Sequence, residues 1–295
     1  MSTRRQYGRE LWERMCEFVK QPDGLPEYEC GQWTIDKLYF LGCYLAITTH
    51  GMRDNTKFKS LNYIDLFSGA GVCSVARDGG RRARYPGSSL LAAGCEKQFH
   101  NLYLVDDDSE RLDALIQRIR RLNCQSRIHS WTGDANQVIG EVSKAIPPNS
   151  LNVAFVDPYS LDIRYSTIKK LAEQRPLDLL ILFADGMDIV RNVEAYYLPQ
   201  TESKLDIFLG EDSNWREAWA KLHIRDGGRV RQFFADIYLQ QLSKIGYIHT
   251  RTRVIESDTG PLYRLVYASK DKLGAKYWDI AVSDDFDGQK TLWTL

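Results

Sequence analysis

The sequence predicts an α/β fold: a mostly parallel sheet covered by helices on both faces, closed by a terminal antiparallel hairpin and preceded by a helical extension. Three observations predict it. From about residue 59 onward, short apolar runs alternate with stretches of helical spacing, the pattern of strands joined by crossover helices. The first of these runs ends in Ser68-Gly-Ala-Gly, a glycine turn at a strand end. The last two strand-like runs are joined by Ser257-Asp-Thr-Gly-Pro, short enough for a hairpin.

Residues 1–58 are expected to form the helical extension. One helix runs around Leu11 to Val19, and a second carries Trp33, Leu38, Leu41 and Leu45 at loosely helical spacing. Pro26 and the bends near Gly24 and Gly31 separate them. Residues 59–295 are expected to form the α/β domain. Its first strand begins at Ser60 and feeds the glycine turn, and its second runs from Asn101 to Asp106. The helix that follows has the apolar stripe Leu112, Leu115, Ile116, Ile119 and Leu122. Further strands are predicted from Ile128, from Leu151 and from Leu177. Residues 187–227 form an insertion at the carboxyl edge of the sheet, with Tyr196, Tyr197, Phe208, Trp215 and Trp219 interleaved among acids. It reads as a lid or docking insertion, or as a helix pair that only packs. Val230, Phe233, Phe234, Ile237 and Ile245 mark a last crossover helix, and Thr250–Glu256 and Leu262–Ser269 form the hairpin. An alternating sheet closed in this way has the outline of a Rossmann-like class I methyltransferase; a dinucleotide dehydrogenase would continue with parallel units.

Composition narrows the function classes. The 295 residues are 43% hydrophobic and 26% charged, which excludes a disordered or collagen-like chain. Thirty-nine basic residues balance thirty-nine acidic ones, arguing against a protein that coats nucleic acid or membrane through bulk charge. A local basic groove stays open. The six cysteines have no C-x-x-C spacing, and the five histidines suggest no metal or nucleophile–base pair, so no metal is expected. No apolar run approaches the ~18 residues of a membrane helix, and the amino-terminal stretch does not read as a secretory signal. A soluble, cytoplasmic protein with reduced thiols is expected.

The chemistry is expected at the strand ends. Asp65, Phe67, Gly69 and Gly71 make the glycine turn, where absent side chains let backbone approach a ligand. Ser74 stands where a dinucleotide fingerprint wants its third glycine, which disfavours a nicotinamide oxidoreductase. An acid just before the turn suits an S-adenosylmethionine (SAM) pocket. Asp106 ends the second strand, placed to accept ribose hydroxyls. Asp134 ends the third, as an adenine contact or equally a helix N-cap. Asp157, Pro158 and Tyr159 end the fourth. A carboxylate and a proline carbonyl there would align a planar amine for in-line attack, with the tyrosine stacked on its ring. The long gap between Gly71 and Asp106 reads as an inserted loop. Its Arg77, Arg81, Arg82 and Arg84, flanking Tyr85, suggest a phosphate-contacting patch or a solvated loop. Arg111, Arg118, Arg120 and Arg121 read as the outer face of their helix.

Taken in order, these motifs resemble the three-Cys-motif partner protein family. The residues concerned are Trp33, Lys37-Leu-Tyr and Tyr44-Leu, then Tyr63-Ile-Asp-Leu-Phe-Ser-Gly-Ala-Gly and Gly87-Ser-Ser-Leu, where Ser89 replaces a proline of the family. Val156-Asp-Pro-Tyr, Arg191-Asn, Pro261-Leu-Tyr, Val266-Tyr-Ala-Ser-Lys and Leu273-Gly complete the match. The resemblance covers roughly Trp33 to Trp278. It implies a SAM-dependent methyltransferase-like fold, adds Arg191 and Asn192 to the acceptor side, and implies a cysteine-motif partner resembling radical-SAM enzymes. The expected function is methyl transfer from SAM to a nitrogen of a nucleobase or nucleotide, free or in nucleic acid. The alternative is a non-catalytic SAM- or nucleotide-binding module that docks on a partner.

Overall fold

The computed structural model describes residues 3–77, 82–173, 175–223, 226–258 and 260–283. Two helices lead the chain, α1 (Thr3–Val19) and α2 (Thr34–Met52), with a short strand β1 (Tyr28–Cys30) between them. Strand β2 (Ser60–Asp65) enters the glycine turn, followed by β3 (Val72–Ala76), β4 (Arg82–Pro86) and the short helix α3 (Ser88–Ala93). Strands and helices then alternate as β5 (Asn101–Asp106), α4 (Ser109–Arg121), β6 (Arg127–Thr132), α5 (Ala135–Ala145), β7 (Ser150–Val156), α6 (Tyr165–Ala172) and β8 (Leu177–Phe183). Two π-helical turns, Asp185–Ile189 and Val193–Tyr197, flank α7 (Val190–Asn192). The chain continues through α8 (Lys204–Leu209), α9 (Trp215–Ala220) and α10 (Gly227–Lys244), then β9 (His249–Ser257), β10 (Gly260–Ser269) and α11 (Lys272–Ala281).

Seven strands make one sheet in the order β6-β5-β2-β7-β8-β10-β9. The first five are parallel; β10 runs antiparallel to β8 and β9 antiparallel to β10. Every residue of β2, β5 and β8 is buried, as a sheet covered on both faces requires. Neighbouring residues serve opposite faces: Tyr63 packs with α1, α2, α3, α4 and α11, and Ile64 with α5, α6 and α8 to α10. The predicted strands and the closing hairpin are all present.

The leading helices share the core of the first face, where Tyr44, Leu45, Tyr267 and Trp278 are almost fully buried. Tyr44 donates a 2.5 Å hydrogen bond to Asp178 Oδ2 and lies 3.2 Å from the Tyr267 hydroxyl, tying α2 to β8 and β10. In the 187–227 segment, Phe208, Trp215 and Trp219 are buried in the second face's core, the placement of helices that pack. Each such side chain contributes roughly 2–3 kcal/mol on leaving water. Asp206 fastens this layer, closing a capping box with Ser203 and accepting from Trp215 Nε1 at 2.6 Å and from Arg216.

One expectation is corrected. The stretch between Gly71 and Ser88 was expected as a loop, yet β3 and β4 pair as an antiparallel hairpin and β1 adds in parallel to β3 as a second sheet. The glycine turn therefore leads into a hairpin, and its helix, α3, starts only after it. Gly87 N returns to Gly71 O at 2.7 Å, so helix and turn still meet. Among the described residues, no helix is long and apolar enough to cross a membrane and no group of His, Cys, Asp or Glu is arranged to hold a metal.

Candidate active site

Strand order reverses between β2 and β7: the chain builds outward from β2 through β5 to β6, then crosses to β7 and β8. Such a switch opens a crevice beyond the carboxyl ends of the two central strands, where ligands bind in open α/β sheets. Asp65 and Asp157 stand on either side of it.

The turn after β2 is held from below. Asp65 is fully buried; its Oδ2 accepts from Ser88 Oγ at 2.6 Å, Ser89 Oγ at 2.8 Å and the Tyr63 hydroxyl at 2.9 Å, and its Oδ1 from Phe67 N at 3.2 Å. Burial raises its pKa to about 6, against the lowering effect of those donors. Ser89 thus donates to the turn's own acid. Gly69 and Gly71 adopt φ of 59° and 84°, which side chains resist. A Cβ on Gly71 would come within 2.7 Å of Leu115 Cδ1. Phe67 is half-buried.

Asp106 joins the same cradle. It is 6% exposed, its Oδ2 accepts Gly69 N at 2.7 Å, and burial raises its pKa above the ordinary carboxylate value. Gly133 N donates to Asp106 O at 2.9 Å, bringing the end of β6 alongside. Asp134 is exposed and caps α5, accepting Asn136 N at 2.8 Å, so the capping role weighed from the sequence is the one seen. The structure brings Asp65, Gly69, Gly71 and Asp106 into one hydrogen-bonded unit; Asp134 lies at its rim.

The other wall is the end of β7. Asp157 is half-buried, Pro158 is buried and Tyr159 is 86% exposed. Asp157 Oδ2 accepts from Lys37 Nζ at 2.6 Å, while Oδ1 has no partner among the described residues. Lys37 comes from α2 and is only 6% exposed. Burial opposes its charge, but Asp157 and Tyr263 outweigh that and raise its pKa above the ordinary lysine value. Tyr263, on β10, places its ring centroid 5.6 Å from Nζ and its hydroxyl 3.4 Å from Trp33 O. Tyr28 lies over the glycine turn, its Cε1 3.2 Å from where a Gly69 Cβ would be. Beside it Cys30 is held below the ordinary thiol value, chiefly by a hydrogen bond with Cys73, with Lys37 assisting.

Arg191 and Asn192 are not drawn into the Lys37–Asp157 pair. Arg191 is exposed, and Asn192 donates to Asp188 Oδ1 at 2.9 Å. Asp188 also accepts from Ser160 Oγ and Tyr197 OH, so it joins the loop after β7 to the segment after β8. Nearby, Arg264 Nε donates to the buried Asp185 at 2.9 Å.

Two readings of arginines are corrected. Arg118 does not sit on an outer helix face: it is 1% exposed and donates to Asp23, Leu25 O, Pro26 O and Ala70 O. It pins the segment before β1 to the glycine turn. Arg84 is tied to Glu27 and Asp23, Arg82 to Glu29 and Ser74, and Arg77 to the Tyr85 hydroxyl. They brace the hairpin against the amino-terminal segment; Arg81 lies outside the described residues. A cavity of about 700 Å³ opens between α1 and β4, lined by Trp12, Tyr39 and Tyr85 among others, and shares no residue with the sheet edge.

Lys37, Tyr28 and Tyr263 were not singled out as site residues from sequence. For Lys37 a signal existed, since it is the sole basic residue between Thr34 and Thr49, a stretch buried throughout except at Asp36. A charge in a helix that is apolar on all sides needs a partner.

No family model matches the chain, and no curated protein matches it. Solved structures are similar. A DUF519 protein of Legionella pneumophila superposes with a TM-score of 0.51 at 11% identity, over 81% of this chain and 88% of that one. An O-methyltransferase from Bacillus cereus, in complex with S-adenosylhomocysteine, gives 0.43 at 13% identity over 90% and 91%. TomG, an O-methyltransferase from Streptomyces achromogenes in complex with SAM, gives 0.44 at 10% identity over 92% and 100%. At these identities the likeness is one of fold. With the strand order above, the fold is a Rossmann-like, mostly parallel seven-stranded sheet closed by an antiparallel hairpin.

Proposed function

We propose that this chain binds SAM and transfers its methyl group to a nitrogen of a nucleobase or nucleotide. The observation that carries the reading is the meeting, across one switch-point crevice, of the Gly69–Asp106 cradle and the Lys37–Asp157 pair. The cradle fits an adenosyl ligand. Its glycines hold conformations that leave no room for side chains, and Asp106 offers a sheltered carboxylate suited to ribose hydroxyls. Gly69, Gly71 and Asp106 would hold SAM, with Asp65 setting the turn from beneath and Phe67 and Asp134 at the rim. When bound, SAM supplies a sulfonium methyl group in reach of the acceptor.

The remaining work falls to the chain's own residues. Asp157 Oδ1 and the Pro158 carbonyl accept the acceptor's N–H groups and aim its lone pair along the line of displacement. As the new N–C bond forms, the S–C bond breaks and its electron pair stays on sulfur, leaving S-adenosylhomocysteine. The methylated nitrogen then releases its surplus proton, which Asp157 is placed to take on to solvent. Tyr159 is exposed enough to stack on an arriving ring, while Arg191 and Asn192 would contribute from the segment after β8. The resemblance to the three-Cys-motif partner family supports the methyltransferase reading and adds a radical-SAM-like protein as a partner.

The test is transfer of labelled methyl from SAM to nucleotides and to single- and double-stranded oligonucleotides. Asp157→Ala should abolish transfer and leave SAM affinity within a few-fold. Equal loss of both would remove Asp157 from the acceptor side. Full SAM binding with no transfer to any acceptor would favour the non-catalytic module.

A further inference from the structure

Lys37 poses a chemical question that the proposed transfer leaves open. The residue is 6% exposed, yet its ammonium makes one hydrogen bond, to Asp157 Oδ2 at 2.6 Å; no other acceptor bonds it among the described residues. The Tyr263 ring, 5.6 Å away, adds a cation–π contact without satisfying an N–H. An ammonium carries three donors, and burying unmet ones is unfavourable. A pair serving only to join α2 to β7 could be replaced by apolar packing at little or no loss. Here the unmet donors sit at the ligand edge of the sheet, beside the free Oδ1 of the carboxylate already read as the acceptor's anchor.

The pair is therefore bipolar. Asp157 Oδ1 takes a proton donor, and a few ångströms away Lys37 Nζ offers one. A ligand that meets both presents an N–H group and, one carbon removed, an unprotonated sp² lone pair. We propose that Lys37 binds the methyl acceptor directly, donating to a ring nitrogen adjacent to the exocyclic amine held by Asp157. The acceptor class is then an amidine edge, N–C=N, as carried by adenine and cytosine. Uracil and thymine present an imide in its place and lack the amine. The inference rests on the methyl-transfer reading of the crevice and deepens it: the helical extension supplies a substrate-binding residue, and the site is incomplete without α2.

The experiment compares ligands that differ at one atom. With S-adenosylhomocysteine bound, the full chain is titrated with AMP and 1-deaza-AMP, and with CMP, 3-deaza-CMP and UMP. AMP or CMP should bind at least 10-fold tighter than its deaza analogue, in which C–H replaces the ring nitrogen, and UMP should bind as weakly as the analogue. Lys37→Met should erase the difference between parent and deaza ligand and leave S-adenosylhomocysteine affinity within a few-fold. A residue that only held α2 in place would not move that difference. Equal binding of parent and deaza ligands by the wild-type chain overturns the inference without recourse to any variant. So does binding of neither nucleotide, or a difference that persists in Lys37→Met. S-adenosylhomocysteine binding, read in the same titration, separates these failures from a failure of the methyltransferase reading.

Discussion

Asp65 collects four hydrogen bonds inside the protein, three of them from hydroxyl groups. It was legible as a turn acid from its place before the glycines; that Ser88 and Ser89 are among its partners was not, because the hairpin separates them from it in sequence. Its pKa of about 6 in the folded chain lies above the ordinary aspartate value of about 3.9 in an unfolded chain. The folded state therefore keeps the proton to higher pH than the unfolded state, and this group's contribution to stability falls as pH rises between those values. The full loss is on the order of 3 kcal/mol. Urea denaturation at intervals from pH 4 to 7 should show this decline in the wild type and a flatter profile in Asp65→Asn. Parallel profiles would contradict the placement of the ionisation at Asp65. Asp134 teaches a complementary lesson: the same residue type at a strand end served equally well as ligand contact or cap, and only the position of Asn136 N at 2.8 Å distinguishes what the side chain does here.

Among the elements, the central strands β2, β5, β7 and β8 were legible because a strand covered on both faces is largely apolar. The short strands β1, β3 and β4 were missed. Their burial is uneven, and β4 carries arginines whose partners come from the segment before β1. The same segment explains Arg118, which sequence spacing assigned to a solvent face although Asp23 and three carbonyl groups bury it. Arg118→Ala should cost roughly 2–4 kcal/mol, since it leaves Asp23 and the carbonyls without their donor. Lysine should not rescue it, because a single ammonium cannot match the planar fork. Limited proteolysis is the local readout: cleavage within residues 20–33 should become faster in both variants. Unchanged cleavage would show that other contacts hold the segment over the glycine turn.

At the scale of the molecule, strand order is what turns scattered motifs into a site. Asp65, Asp106 and Asp157 lie far apart in sequence, and their convergence follows from three parallel strands ending on one edge of a sheet ordered β5-β2-β7. That much was legible from the alternation of strands and helices and from the closing hairpin. The contribution of α2 was not, because a helix whose residues are buried on every side announces neither its neighbour nor its register. The central claim is that the crevice binds an adenosyl ligand through the Gly69–Asp106 cradle. It is tested most directly by calorimetric titration of the protein with SAM, S-adenosylhomocysteine and NAD, with Asp106→Ala alongside. Micromolar binding of both adenosyl ligands, lost in Asp106→Ala, is the predicted result; binding of NAD alone, or adenosyl binding untouched by the substitution, would contradict it.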